Sequence, residues 1–318
     1  MTAMIEIKHL TKRFGSLTAV DHLNLEVEEG EIFGFVGPNG AGKTSTLRMI
    51  ATLLEPTGGD IHVAGHSVRA APRQVRAVIG YMPDFFGVYN DMTVWEYLDF
   101  FAACYTIPEV GRPALIQDLL ELVDLSHRQN DLVDLLSRGM KQRLSLARTL
   151  VHDPRVLVLD EPASGLDPRA RVEIRALLVE LAHMGKTIFF STHILADVAE
   201  ICSRIGIIEA GRLVAVGGLE ELQQELVPRR KIEITVLERL DEACALLNGL
   251  PGVLDVAAYP ASSNGTRDRV EFEFSGNDTA LSQLLASLVV GDIPVIHFSE
   301  DRRDLEEVFL RATKGLVT

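Results

Sequence analysis

A chain of 318 residues with 47% hydrophobic content is long enough to bury a sizeable core and to divide into one large and one small domain. Its formal net charge of −14 excludes the basic face that nonspecific binding to nucleic acid or to an anionic membrane surface rewards. Cys104, Cys202 and Cys244 stand far apart without a CxxC pair, which speaks against a disulfide framework or a zinc cluster and for a reduced compartment.

At the start of the chain Ile5 and Ile7 alternate with Glu6 and Lys8, the pattern of a strand and not of a signal peptide. Residues 4–29 continue in short alternating segments to a Glu28-Glu29-Gly30 turn, as expected of an antiparallel edge. The run Ile32-Phe33-Gly34-Phe35-Val36 is short and unalternating, which predicts a strand buried on both faces, and it leads through a glycine-rich loop to a helix from Lys43. Residues 91–136 shift to helix formers. Trp95, Leu98, Phe101 and Ala102 stand at helical spacing, and a second helix is predicted over 114–125. Two more buried strands end in polar residues: Val156-Leu157-Val158-Leu159 before Asp160-Glu161-Pro162, and Thr187-Ile188-Phe189-Phe190 before Ser191-Thr192-His193. Such a core gathers ligands at the carboxyl ends of its strands. No apolar run nears the ~18 residues a membrane span needs, so a membrane role requires a partner chain.

After Leu226 the texture changes at Pro228-Arg229-Arg230. Strands are predicted around Ile232, Ile234 and Val236, over 253–259, around Val270, Phe272 and Phe274, and over 293–298, with helices over 241–250 and 279–289. Leu305, Val308, Phe309 and Ala312 mark a final amphipathic helix. The order β-α-β-β-α-β-α predicts a small α+β, ferredoxin-like accessory domain.

Gly37-Pro38-Asn39-Gly40-Ala41-Gly42-Lys43-Thr44 fits the phosphate-loop pattern GxxxxGK[ST], after a buried strand and before a helix, as that chemistry demands. The glycines let backbone N–H groups surround phosphates, Lys43 supplies a point charge, the Thr44 hydroxyl can ligate Mg²⁺, and the helix N-terminus, with Ser45 in its first turn, favours the anion. Asp160 and Glu161, at the end of their strand, read as a Walker B pair. Asp160 would hold Mg²⁺ through water and Glu161 would polarise the attacking water as general base. Standing alone, the pair would be two solvated turn carboxylates.

With these motifs in order, residues 4–220 resemble the ATP-binding cassette (ABC) family. The family's LSGGQ signature corresponds to Leu136-Ser137-Arg138-Gly139-Met140, its D-loop to Ser164-Gly165-Leu166-Asp167, its switch histidine to His193 and its adenine-stacking aromatic to Phe14. The resemblance implies a P-loop cassette: a RecA-like core, an antiparallel β subdomain and a helical insertion of about 88–140, within an ATP-binding domain of 1–225 followed by an accessory domain of 231–318. It implies ATP and Mg²⁺ as ligands and a head-to-tail pair of cassettes, as homodimer or with another cassette. In that pair Ser137 and Gly139 of one copy cap the γ-phosphate held by Lys43 of the other. His193 acts there as an electrostatic clamp on the γ-phosphate. It also implies permease subunits in the membrane, no nucleic acid, and a cytoplasmic place on the inner face of the cell membrane.

Two positions depart from the family. The Q-loop glutamine aligns with Asp84, whose carboxylate can reach Mg²⁺ or its water but adds negative charge beside a triphosphate. Arg138 replaces a signature glycine and can meet phosphate, ribose or solvent, while Met140 replaces the glutamine. Trp95, Phe100 and Phe101 read as helical core. Phe85, Phe86, Val88 and Tyr89 read either as core or as the groove for a permease's coupling helix. The tail, ending Asp304-Leu305-Glu306-Glu307-Val308-Phe309-Leu310, resembles that of bacterial drug- or polymer-export cassettes of the ABC-2 type and implies export. The competing readings are a soluble cassette ATPase acting on ribosomes or DNA and a nucleotide sensor without turnover.

Overall fold

The structure, a computed structural model, describes residues 3–85, 87, 91–219, 221, 222, 229–261, 267–301, 309 and 313. The chain separates into two compact units, Met1–Leu219 with Thr313–Thr318, and Glu220–Ala312.

In the first unit β1 (Ala3–Phe14) and β2 (Leu17–Glu28) pair antiparallel, joined through a tight turn at Gly15. The alternation of Ile5 and Ile7 with Glu6 and Lys8 puts the two isoleucines in the core, as the period of a half-buried strand requires. β3 (Ile32–Val36) is buried at every residue and runs into the loop before α1 (Lys43–Ile50). β4 (Gly58–Val63) and β5 (His66–Ser67) complete the antiparallel sheet in the order β2-β1-β4-β5. α2 (Pro72–Val78) leads to β6 (Ile79–Met82).

The helical insertion holds α3 (Val94–Cys104), α4 (Arg112–Leu122) and α5 (Arg138–Leu150). A capping box starts α3: Thr93 Oγ1 accepts from Glu96 N at 3.2 Å, and the Glu96 carboxylate accepts from Thr93 N at 2.9 Å. Its buried face is Val94, Tyr97, Leu98 and Ala102. Phe100, which the 3.6-residue period turns away from that stripe, is exposed, while Trp95 at its edge and Phe101 on it, its ring 5.0 Å from that of Tyr97, are half-buried; none of the three is the fully buried helical core the sequence led us to expect. The helix expected over 114–125 starts two residues earlier, with Pro113 in its first turn, where a missing N–H costs nothing.

β7 (Val156–Asp160), α6 (Pro168–His183), β8 (Thr187–Thr192), α7 (Leu195–Ile201), β9 (Arg204–Glu209) and β10 (Arg212–Gly217) finish the core. The six-stranded sheet runs β10-β9-β3-β8-β7-β6, parallel except for β10 against β9. All of β7 and β8 is buried, like β3, and Phe33 stacks on Phe189 across adjacent strands with ring centroids 5.5 Å apart. The consequence for function is positional: the carboxyl ends of β3, β7 and β8 emerge side by side.

The second unit contains β11 (Arg230–Val236), α8 (Leu240–Asn248), β12 (Val253–Tyr259), β13 (Asp268–Phe274), α9 (Asp278–Val290) and β14 (Val295–Asp301). Its antiparallel sheet has the order β12-β13-β11-β14, with α8 and α9 as crossovers, the split βαβ arrangement. Ile232, Ile234, Val236, Val270, Phe272 and Phe274 all enter one core with Leu247 and Leu288. The last strand begins after Pro294, which has no N–H to give to a ladder, and not at Ile293. The expected final helix lies outside the described residues except for Phe309.

Candidate nucleotide site

The glycine-rich loop between β3 and α1 is fixed by backbone sterics. Gly42 has φ +103°, and a Cβ there would collide with the Ala19 carbonyl oxygen, so only glycine lets the loop close against β2. From this turn Lys43 extends along the loop, nearly buried. Its Nζ donates to the carbonyls of Gly37 at 2.7 Å and Pro38 at 3.3 Å and lies 3.5 Å from Glu161 Oε1.

At the end of β7 the Asp160 carboxylate is buried and accepts from Thr44 Oγ1 at 3.2 Å and from Ser191 Oγ at 2.7 Å. Register explains the last contact, since Asp160 and Ser191 pair across β7 and β8. Glu161, one residue on, has φ +51°, in the left-handed region that non-glycine residues seldom occupy. The conformation is held by its N–H, which reaches Ser191 O at 3.2 Å and Ser191 Oγ at 3.1 Å. It turns the side chain so that Oε1 faces Lys43 and Oε2 lies 2.8 Å from His193 Nδ1. A single carboxylate thus joins three strand ends. Motif reading passed over Ser191, which holds both Asp160 and the Glu161 N–H; the signal was a hydroxyl at the polar end of a buried strand.

Lys43, Thr44, Glu161 and His193 line one open cleft of about 450 Å³. Pro38, Asn39, Gly40, Ala41, Gly42, Lys43, Thr44 and Ser45 form its floor, Glu161, Ser164 and His193 one wall, and Phe14, Leu17 and Ala19 an apolar wall. Phe14 is half-exposed, with Lys12 Nζ 5.0 Å from its ring centroid. Asp84 is exposed and lines the same cleft. Burial, then the Asp160 carboxylate, pushes the Tyr81 phenol up from its ordinary pKa. Glu161 and Asp84 make the walls acidic against Lys43, with the buried Asp160 carboxylate behind Thr44, so a bound triphosphate needs a cation beside it. Among the described residues no group of three or more His, Cys, Asp or Glu side chains could hold a metal ion. The oxygen pair Thr44 Oγ1 and Asp160 suits Mg²⁺, which takes one or two protein ligands and fills the rest with phosphate and water.

The signature residues lie elsewhere. Ser137 caps α5, its Oγ accepting from Met140 N at 3.3 Å, so the helix begins at Arg138. Ser137, Arg138, Gly139 and Met140 stand outside the cleft of their own chain. Arg138 instead donates to the Ser164 carbonyl at 3.1 Å. Phe85 is strongly exposed and so is no core residue, whereas Phe86, Val88 and Tyr89 lie outside the described residues.

Comparison with known proteins agrees with this geometry. A family model described as "ABC transporter" matches residues 20–164. The chain is 35% identical over 316 residues to the bacitracin transport ATP-binding protein BcrA of Bacillus licheniformis, covering 99% of each chain. It is 40% identical over 232 residues to the Nod factor export ATP-binding protein I of Burkholderia lata, covering 73% of this chain and 76% of that one. It is 40% identical over 222 residues to the probable multidrug ABC transporter ATP-binding protein YbhF of Escherichia coli K12, covering 70% of this chain but only 38% of that protein's length. Among solved structures, cbiO1 from Clostridium perfringens, part of an ABC transporter complex, superposes with a TM-score of 0.66 at 27% identity over 71% of this chain and 92% of that one. A fold, a phosphate loop and a relative that agrees along nearly the whole length lead to one conclusion: the chain belongs to the ATP-binding proteins of the ABC transporter family.

Proposed function

We propose that this chain hydrolyses ATP to drive transport through separate membrane-spanning permease subunits, in the direction of export. The observation that carries the reading is Glu161, whose carboxylate touches both Lys43 and His193 at the mouth of the phosphate loop. The triphosphate would lie along residues 37–45, with Phe14 against the adenine and the γ-phosphate toward Lys43. Thr44 and Asp160 would hold Mg²⁺, which neutralises phosphate charge when bound, and Asp84, on the same cleft, would face the bound nucleotide.

Glu161 would take the proton of a water molecule attacking the γ-phosphorus. The bond to the β-γ bridging oxygen breaks, and ADP and phosphate leave. His193, hydrogen-bonded to Glu161, keeps that carboxylate aimed and presents its ring to the γ-phosphate. Ser137, Gly139 and Met140, which stand away from their own cleft, would complete the cleft of a second cassette, so closure follows ATP binding and release follows hydrolysis.

Export is favoured because the relative named for Nod factor export resembles the chain over 76% of its own length. No helix among the described residues is long and apolar enough to cross a membrane, which is why permease partners on the cytoplasmic face enter the reading. The charge of −14 disfavours a ribosome- or DNA-directed ATPase, and the Glu161–His193 pair disfavours a sensor without turnover. The test is Lys43→Ala: retention of Mg-nucleotide should fall at least about tenfold and turnover should vanish, since a hydrogen bond to a charged group contributes roughly 1.5–3 kcal/mol. A variant as active as the parent would end the reading.

A further inference from the structure

Two side chains one turn apart on α5 grip the loop that follows Glu161. Gln142 Nε2, buried, donates to the Pro162 carbonyl at 2.7 Å, and Arg138 donates to the Ser164 carbonyl at 3.1 Å. Ser164 N in turn donates to the Glu161 carbonyl at 3.1 Å. The path from Arg138 to the backbone of Glu161 is therefore two hydrogen bonds long. The guanidinium lies flat against Gly165, φ +66°, so closely that a Cβ built there would overlap its Cζ and both terminal nitrogens.

Arg138 is in an uncomfortable place. It occupies the first position of α5, where the positive end of the helix dipole disfavours a cation. Its side chain is folded onto a neutral carbonyl and not onto a carboxylate, so charge pairing does not explain the conformation.

We propose that Arg138 is a positioning residue for hydrolysis: by holding the Ser164–Gly165 turn it sets the strained backbone of Glu161, and with it the angle at which that carboxylate meets the attacking water. The inference rests on the proposed ATP hydrolysis but departs from a contact between Arg138 and nucleotide. It assigns the guanidinium to its own chain, as a strut between the signature helix and the catalytic turn. Gln142 keeps the loop attached when the strut is removed, so the fold survives and only aim is lost.

The experiment is steady-state MgATP turnover by the purified full chain and by Arg138→Ala, Arg138→Lys, Gly165→Ala and the Arg138→Ala/Gly165→Ala pair, with MgATP affinity measured separately by calorimetry. Arg138→Ala should lower kcat about tenfold, the effect of one hydrogen bond of ~1.4 kcal/mol, with affinity unchanged, because residue 138 does not line the cleft. Arg138→Lys should restore most of the rate, since one N–H suffices for a carbonyl. Gly165→Ala should slow the parent more than it slows Arg138→Ala, where the space over residue 165 is free. Parental kcat in Arg138→Ala would overturn the strut, as would equal costs of Gly165→Ala in both backgrounds. Arg138→Lys as slow as Arg138→Ala would also overturn it, by assigning the planar fork to a phosphate of a second copy. A parent without turnover would instead sink the underlying ATPase reading.

Discussion

His193 Nδ1 lies 2.8 Å from Glu161 Oε2, across the junction of β8 and β7. The contact joins residues 32 positions apart and leaves the other carboxylate oxygen 3.5 Å from Lys43. A carboxylate held at both oxygens cannot rotate freely, which is what a base that must meet one water requires.

Glu161→Gln keeps the size and the contact with His193 but removes the basic oxygen. Turnover should fall by at least ~100-fold, the usual contribution of general-base catalysis. MgATP binding should persist, so the variant should accumulate as an ATP-dependent dimer on size-exclusion chromatography. Only monomer in MgATP would argue against closure by a second cassette.

Asp84→Gln takes one negative charge out of a cleft that already holds Glu161 and has the buried Asp160 carboxylate behind Thr44. Removing a like charge a few ångströms from phosphate in a solvated cleft is worth on the order of 1 kcal/mol, so MgATP affinity should tighten roughly fivefold. Calorimetry checks the affinity, and an unchanged hydrolysis rate as well would remove Asp84 from the site.

Asp197 and Arg175 form an ion pair of 2.7 Å between α7 and α6, with the aspartate side chain only 2% exposed. Asp197→Ala leaves Arg175 with the exposed Glu200 as its remaining carboxylate. Loss of one member of a buried pair costs about 3 kcal/mol, so the urea midpoint of the first unit should drop clearly. A shift of a few tenths of a kcal/mol would show that Glu200 compensates.

Burial holds His152 below its usual pKa, opposed by the hydrogen bond of Nε2 to the Ile79 carbonyl at 2.8 Å; its ring stacks on Tyr105 with centroids 3.9 Å apart. The neutral ring is the native form, so its contribution to stability is complete above the unfolded pKa of about 6.5 and is lost as pH falls below it toward the depressed folded value. Thermal midpoints measured from pH 8 to pH 5 should therefore decline less steeply for His152→Gln than for the parent. Parallel declines would remove His152 from the acid sensitivity.

The sequence by itself determined the three buried strands, the loop from Gly37 to Thr44, and the pair Asp160-Glu161, because each rests on local pattern: an apolar run, a glycine spacing, a charge at a strand end. It also determined the alternation that builds the second unit's sheet. Only tertiary structure decided that β6, β9 and β10 flank those strands, since short segments of mixed polarity carry no period long enough to read. The same holds for Ser191 beneath Asp160, His193 on Glu161 and Arg138 on Ser164. Those contacts join residues 26 to 32 apart along the chain, and strand register and helix packing, which no local pattern encodes, bring them together.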